Sequence, residues 1–319
     1  TSTDGESTKP VIRTANKTVD DWISTLSSPS YHVRLESQQA IERHGDVGRK
    51  SLMQAIRNGK VEVAGRLHAV WVLAHSRDSA TIDELFRIAN FDSDPRVQAQ
   101  AIRAIADLFD PILAKHRIDA DTGDPQIAKR LAGLAVESDS RVLLEVIIAL
   151  GRLRWSGSAD WLRREITEDA DQAIMHAAMQ TIRKSANWPD TFAIIDDSQA
   201  AVRPAARRAI AEQYETGIVD PLLDRLDNKN PHRREYADLL SRVYKKLEPW
   251  QYWGFRPAPR PPNTVMWKRT EQIKVGLVGL LADEDHAVRL YVLRRMLREQ
   301  IPIPSSSLAN WLEDENGSE

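Results

Sequence analysis

Val202-Arg203-Pro204-Ala205-Ala206-Arg207-Arg208-Ala209-Ile210 is the stretch whose reading decides the fold. Val202, Ala206, Ala209 and Ile210 stand at offsets 0, 4, 7 and 8. On a helix of 3.6 residues per turn those offsets trace one stripe. The same steps recur from Val33 (Ser37, Ala40, Ile41), Val63 (Leu67, Val70, Trp71), Val97 (Ala101, Ala104, Ile105) and Val142 (Val146, Ala149, Leu150). They recur again from Ile174 (Ala178, Thr181, Ile182), His232 (Tyr236, Leu239, Leu240) and Val288 (Val292, Arg295, Met296). The residue at +8 is apolar in all eight copies. One helix design reused at this period predicts an all-α solenoid, in which each unit buries its apolar flank against the next.

Most copies start 28–34 residues apart, room for two short helices and their turns. A second amphipathic segment precedes each later register helix, at about 47–58, 79–90, 125–136, 158–167, 189–195, 216–226 and 268–281. An opening helix is expected over 18–27, followed by the turn Ser27-Ser28-Pro29-Ser30. Gly45, Gly59, Gly151 and Gly217 are read as helix stops. No segment sustains a period-2 alternation, so no strand is expected. Residues 1–17 read as a disordered lead-in or linker, and 18–300 as the repeat array. Residues 301–319 read as a capping helix with Leu308, Trp311 and Leu312 turned inward, followed by an acidic tail.

The chain has 319 residues, 42% of them hydrophobic, enough to fill a long core. Lys and Arg number 44 against 46 Asp and Glu, a net charge of −2 that gives no long-range attraction to nucleic acid or anionic lipid. There is no cysteine, which excludes disulfides, thiolate metal sites and a Cys nucleophile within this segment. No apolar run approaches the roughly 20 residues that span a bilayer. The opening Thr1-Ser2-Thr3-Asp4-Gly5 lacks a Met, which suggests a mature form or an excerpt of something longer.

Within several copies an acidic residue precedes an Arg by six: Asp197 and Arg203, Asp227 and Arg233, Asp283 and Arg289. Each Arg directly follows the register residue, as Arg34 follows Val33. This arrangement resembles the HEAT repeat, in which a turn Asp and a second-helix Arg form a ladder between repeats. The resemblance implies a right-handed α-α superhelix of HEAT/ARM type with about eight helix pairs. Ala64, Gln98, Leu143 and Met175 depart from the charge pattern, which breaks the ladder in copies two to five. A second likeness begins at Tyr252. The run Tyr252-Trp253-Gly254-Phe255-Arg256-Pro257-Ala258-Pro259-Arg260-Pro261, with Asn263-Thr264-Val265, Trp267 and the later Ile301-Pro302-Ile303-Pro304, resembles a segment of planctomycete-type multidomain proteins. Those proteins join a sugar-dehydrogenase-like propeller, HEAT repeats and a haem-binding CxxCH domain. The resemblance implies that this chain is the central HEAT section of an exported, oxidoreductase-like parent. No CxxCH is present, so neither haem nor redox chemistry carries over to these residues.

Two gaps between copies are long, and their excess lies at about 110–125 and 249–267. The second holds Trp250, Tyr252, Trp253, Arg256, Arg260 and Trp267 among prolines that stiffen an extended chain. Aromatic faces and stacking arginines suit a binding platform for a peptide, a sugar or a neighbouring domain, and those six are the candidate binding residues. The same insert could instead lie across the array and seal a groove, shielding its aromatics from water. Asp119, Asp121, Gly123 and Asp124 hint at calcium, but Gly123 is fifth and Arg130 twelfth where an EF-hand needs Gly sixth and Glu twelfth. His68 and His75 stand seven residues apart, about 10 Å along a helix, too far to share one metal. HEAT-like hydroxylases bind iron through His-Glu dipeptides, and none of the eight histidines is followed by Glu. Arg152, Arg154, Trp155, Trp161, Arg163 and Arg164 form a basic-aromatic stretch reminiscent of HEAT-like DNA glycosylases, but the patch is short. No catalytic residue, metal or cofactor is expected. The expected function is a non-catalytic scaffold for a protein partner or sibling domains. A glycosylase-type DNA-binding enzyme and a carbohydrate binder are the competing classes.

Overall fold

The computed structural model describes residues 17–118, 121–134, 139–249 and 263–307. Trp250, Tyr252, Trp253, Arg256 and Arg260, along with Leu308, Trp311 and Leu312, lie outside the described residues, as does Asp119. The chain divides into two compact units, Thr1–Leu153 and Arg154–Glu319. Apart from one two-residue ladder, the regular structure of the described residues is helical.

The first unit holds α1 (Val19–Thr25), α2 (Tyr31–Arg43), α3 (Gly45–Arg57), α4 (Val63–Ala74), α5 (Ser79–Phe91), α6 (Pro95–Phe109), α7 (Pro111–Lys115), α8 (Pro125–Ala132) and α9 (Ser140–Arg152). Its register helices α2, α4, α6 and α9 pack on one another in sequence, and each packs on a first helix: α1, α3, α5 or α8. The second unit holds α10 (Ser158–Glu165), α11 (Gln172–Ser185), α12 (Trp188–Asp196), α13 (Arg203–Ile210), α14 (Thr216–Asp224) and α15 (Arg233–Arg242). It ends with α16 (Thr270–Gly279), a 3-10 turn (Leu280–Ala282) and α17 (His286–Arg298). Here α10, α12, α14 and α16 pack in sequence as one layer; in the other, α11 packs on α13 and α15 on α17, with Arg203 of α13 reaching Glu235 of α15. Each unit is therefore four antiparallel helix pairs of HEAT/ARM type, eight pairs in all among the described residues.

The register residues do what their spacing requires. Of the +8 set, Ile41, Ile105, Leu150, Ile182, Ile210, Leu240 and Met296 are buried, and Trp71 in the second copy is half-buried. Alanine at +4 or +7 is wholly enclosed at Ala101, Ala104, Ala178, Ala206 and Ala209. Small residues there let neighbouring helices approach closely. Helix starts are set by aspartate caps: Asp78, Asp94, Asp124, Asp139, Asp171 and Asp285 each accept a backbone N–H of the first turn. At Asp94 the Arg96 guanidinium also bonds the carboxylate at 2.6 Å. That bond above all holds the Asp94 carboxyl down at about 2. A lowered pKa stabilises the fold above the usual carboxylate range, and the contribution is lost as pH falls through about 2. An NMR titration of the Asp94 side chain should therefore show its midpoint well below that of an exposed aspartate.

The arginine ladder differs from its expected form in an instructive way. Within a copy, the Arg donates to backbone carbonyls of the preceding turn: Arg34 to Ser28 O at 2.8 Å, and Arg289 to Asp283 O at 2.8 Å. The turn carboxylate instead receives an Arg from the copy before it, as Arg233 grips Asp283 at 2.8 and 3.0 Å. Arg203 reaches Ile195 O at 2.8 Å and, in the next copy, Glu235 at 2.6 Å. Asp227 stays local and accepts the Lys229 N–H. Copy two lacks the Arg at position 64, yet Arg66 performs the same task. It donates to Val61 O at 3.0 Å and to both oxygens of Asp92 at 2.8 and 3.0 Å. The sequence pattern misses it because the Arg has moved two places along the helix.

Three expectations need correction. A short antiparallel ladder pairs β1 (Lys246–Leu247) with β2 (Thr264–Val265), where no strand was expected. Two residues cannot display an alternation, so periodicity is blind to it. Residues 110–125, read as excess loop, contain the one-turn helix α7, started by Pro111 and capped by Asp110. Gly217 stands at the start of α14 rather than at a helix stop, and Gly151 lies inside α9. Gly45 and Gly59 do take left-handed φ values of 57° and 67° at helix ends.

Candidate functional site

Of the six candidate binding residues, Trp267 is the one among the described residues, and it is half-buried. Its indole N–H donates to Val243 O at 2.8 Å, and its ring meets Tyr214 edge-on at 5.9 Å. Thr270 completes the joint, bonding Tyr244 O at 2.9 Å and receiving the Trp267 N–H at 2.9 Å. With β1 paired to β2, these contacts join the described residues on either side of 250–262, within the 249–267 insert, to the α15–α16 junction. Trp267 is thus an anchor for the insert. The insert's other aromatic and arginine residues fall outside the described residues.

Beside this junction lies an apolar groove of about 770 Å³. The C-terminal part of α14 and its turn (Leu223, Leu226) form one wall, and α16 (Val275, Gly276, Gly279) the other. A Cβ on Gly276 would stand 2.5 Å from Leu223 Cδ2, so a larger residue there would have to displace that side-chain end. Gly279 would meet nothing within 4 Å, so its missing side chain leaves open space. Val275 is 67% exposed at the lip. Glu271, Asp283 and Glu284 line the groove, and among the described residues no cation does.

The other sequence candidates resolve into structural contacts. Asp124 caps α8 through the Gln126 N–H at 2.8 Å, the work of a helix start. His68 bonds Gln38 at 2.8 Å and His75 bonds Glu42 at 2.9 Å, so both histidines tie α4 to α2. Burial, with Arg34 adding its charge, pushes the His68 imidazole below its ordinary range. Among the described residues no three His, Asp or Glu side chains converge to hold a metal ion. The basic-aromatic stretch is mostly paired: Arg152 with Asp107 and Asp110, Arg163 with Asp197, and Arg164 with Asp160. Trp161 is buried in the core, and Trp155 packs over Gly157.

Sequence reasoning missed the largest electrostatic feature. In the second unit, α11, α13, α15 and α17 carry twelve Arg and Lys against two carboxylates, Glu235 and Asp238. The opposite layer, α10, α12, α14 and α16, carries three cations against seven carboxylates. A signal was available, since α12 and α14 are acidic and the helices that follow them are basic, but it becomes legible only once the helices are sorted into layers.

No helix among the described residues is long and apolar enough to cross a membrane. No family model and no curated protein matches the chain. Similar solved structures include a chain of the Kap95:Nup1 complex, at 14% identity and a TM-score of 0.41, covering 93% of this chain and 43% of that one. This chain therefore spans less than half the length of that relative. A designed armadillo repeat protein is similar at 12% identity and a TM-score of 0.22, covering 88% of this chain and 99% of that one. An engineered protein is similar at 16% identity and a TM-score of 0.23, covering 89% and 97%. At these identities and TM-scores the likenesses add nothing to what the helices themselves show: an all-α array of HEAT/ARM-type pairs.

Proposed function

We propose that this chain is a non-catalytic scaffold that holds a protein partner or sibling domains of the same polypeptide. The observation that carries the reading is the open apolar groove between α14 and α16, beside the anchored ends of the insert. An apolar recess with a polar rim on a stacked-helix array suits a protein segment better than a reacting small molecule. In this reading Trp250, Tyr252, Trp253, Arg256 and Arg260 form the contact platform, and Trp267 holds it in place. The likeness of residues 252–267 to planctomycete-type multidomain proteins supports a parent that is exported and oxidoreductase-like, with the scaffold positioning its other domains.

The test is photo-cross-linking from a benzophenone amino acid placed at 253, 256 or 275 in the complete gene product. Adducts should converge on one defined surface of a partner or of a sibling domain. The alanine variants W253A and R256A should reduce them severalfold. Adducts scattered over unrelated surfaces, or unchanged in those variants, would refute the scaffold.

A further inference from the structure

The long gap between the third and fourth copies does more than connect them. Its excess residues include α7 and the 121–124 loop, and these line a recess of about 290 Å³ in the first unit. Ile82 of α5, Leu108 and Phe109 at the end of α6, and Pro111 and Ala114 of α7 make its surface largely apolar. Arg77 and Lys115 line the same recess. Both are exposed, and among the described residues neither side chain makes an ion pair or a hydrogen bond.

The walls of the recess are held by the fold itself. Asp110 caps α7 through the Ile112 N–H at 2.8 Å and is in turn gripped by Arg152 at 2.9 Å. The Gly123 N–H donates to Leu153 O at 2.8 Å. A Cβ at Gly123 would stand 2.6 Å from Leu153 Cδ2 and 3.2 Å from Phe109 O, so the loop lies close against the end of α6. Asp124 also lines the recess, but its carboxylate accepts the Gln126 and Ile127 N–H groups at the start of α8. A preformed apolar recess with a few polar groups is the usual form of a small-molecule site. Its volume lies at the small end of the roughly 300–1,000 Å³ range, which suits one ring with a short chain and not a peptide segment.

We infer that this recess binds a small amphipathic carboxylate, its apolar body against Leu108, Phe109 and Pro111 and its head at the mouth with Arg77 and Lys115. Leu108 and Phe109 are half-buried and Pro111 is buried, whereas both cations are exposed, so the recess is apolar within and positive at its rim. Arg77 can hold a carboxylate through two parallel N–H bonds, and Lys115 adds a second positive charge. Two cations and the Asp124 carboxylate leave the lining with a single positive charge, which one carboxylate neutralises and a doubly charged phosphate overshoots. An amine head would meet two like charges. The recess lies in the first unit and the α14–α16 groove in the second, so binding here is independent of the scaffold.

The test is an NMR titration of the full chain with four probes that share one body: 4-phenylbutyrate, 4-phenyl-1-butanol, 4-phenylbutylamine and 4-phenylbutyl phosphate. Phenylbutyrate should bind saturably, with a Kd of about 1 mM or tighter, and should shift the amide signals of Phe109, Thr122 and Gly123. The alcohol should bind at least fivefold more weakly, and the amine should not bind. R77A/K115A should weaken phenylbutyrate at least fivefold, leave the alcohol unchanged and keep the thermal midpoint. A114W, which fills the recess, should abolish binding of both. Phenylbutyrate binding that is absent, that shifts amides elsewhere, that equals the alcohol's or that survives A114W overturns the proposal. So does an affinity unchanged in R77A/K115A. Tighter binding of the phosphate would make the recess a phosphate site and would also overturn it. None of these outcomes alters the cross-links from 253, 256 or 275, so the two readings fail separately.

Discussion

Replacing Asp238 with alanine should cost the second unit about 3 kcal/mol, because a buried guanidinium loses its main counter-ion. Asp238 lies on α15, buried, where Tyr291, Arg242 and Arg295 meet at 2.9, 3.0 and 3.0 Å. Arg295 is 9% exposed and would keep only Glu299 and the Ser241 hydroxyl. Tyr291 would lose its acceptor as well. Burial pushes its phenol pKa up, and the Asp238 hydrogen bond adds to the rise, so the upward shift should shrink in the variant. Asp238→Asn should cost less, since the amide still offers an oxygen to one donor. The double variant Asp238→Leu, Arg295→Met should recover most of the loss, because an apolar pair of similar size needs no counter-ion. Urea unfolding of all four proteins measures the coupling. A loss under about 1 kcal/mol in Asp238→Ala, or no recovery in the double variant, would mean that the pair is effectively solvated.

That site was half-visible beforehand. Arg295 stands at +7, a position filled by an apolar or hydroxyl side chain in the other seven copies. A charge on the buried stripe implies a buried partner. The sequence could not name it, because Asp238 lies at an offset that faces solvent in Arg208 and Arg294. Only the packing of α17 against α15 turns Asp238 inward.

The helical architecture was legible for a physical reason: an 8-residue offset spans more than two turns, and only a helix keeps those residues on one stripe. The second helices were equally readable, since segments predicted at 79–90 and 216–226 form as Ser79–Phe91 and Thr216–Asp224. What escaped were features without a period. The β1–β2 ladder is two residues long, and the groove lies between α14 and α16, helices far apart in sequence. The charge layering was hidden by averaging, since the acidic helices α12 and α14 alternate with cationic register helices and a running sum cancels them. A repeat thus advertises its buried face in its sequence, while its exposed faces must be sorted by the fold before they can be read.

Trp161→Ala is the substitution expected to cost most, about 3–5 kcal/mol, by the loss of a large enclosed ring. Trp161 is 2% exposed, in the short helix α10, which packs on both α11 and α12. Eight residues of helix have little intrinsic stability, so α10 depends on this burial to stay folded. In a stacked array each pair contacts its neighbours alone, and a defect should spread by steps that weaken with distance. Hydrogen exchange should therefore speed up most in α10 and α11, less in α12 and α13, and hardly at all in α16 and α17. Trp161→Phe retains most of the buried area and should cost less than half as much. Were exchange to rise uniformly through α17, the second unit would unfold as one cooperative block, and nearest-neighbour stacking would not describe its energetics.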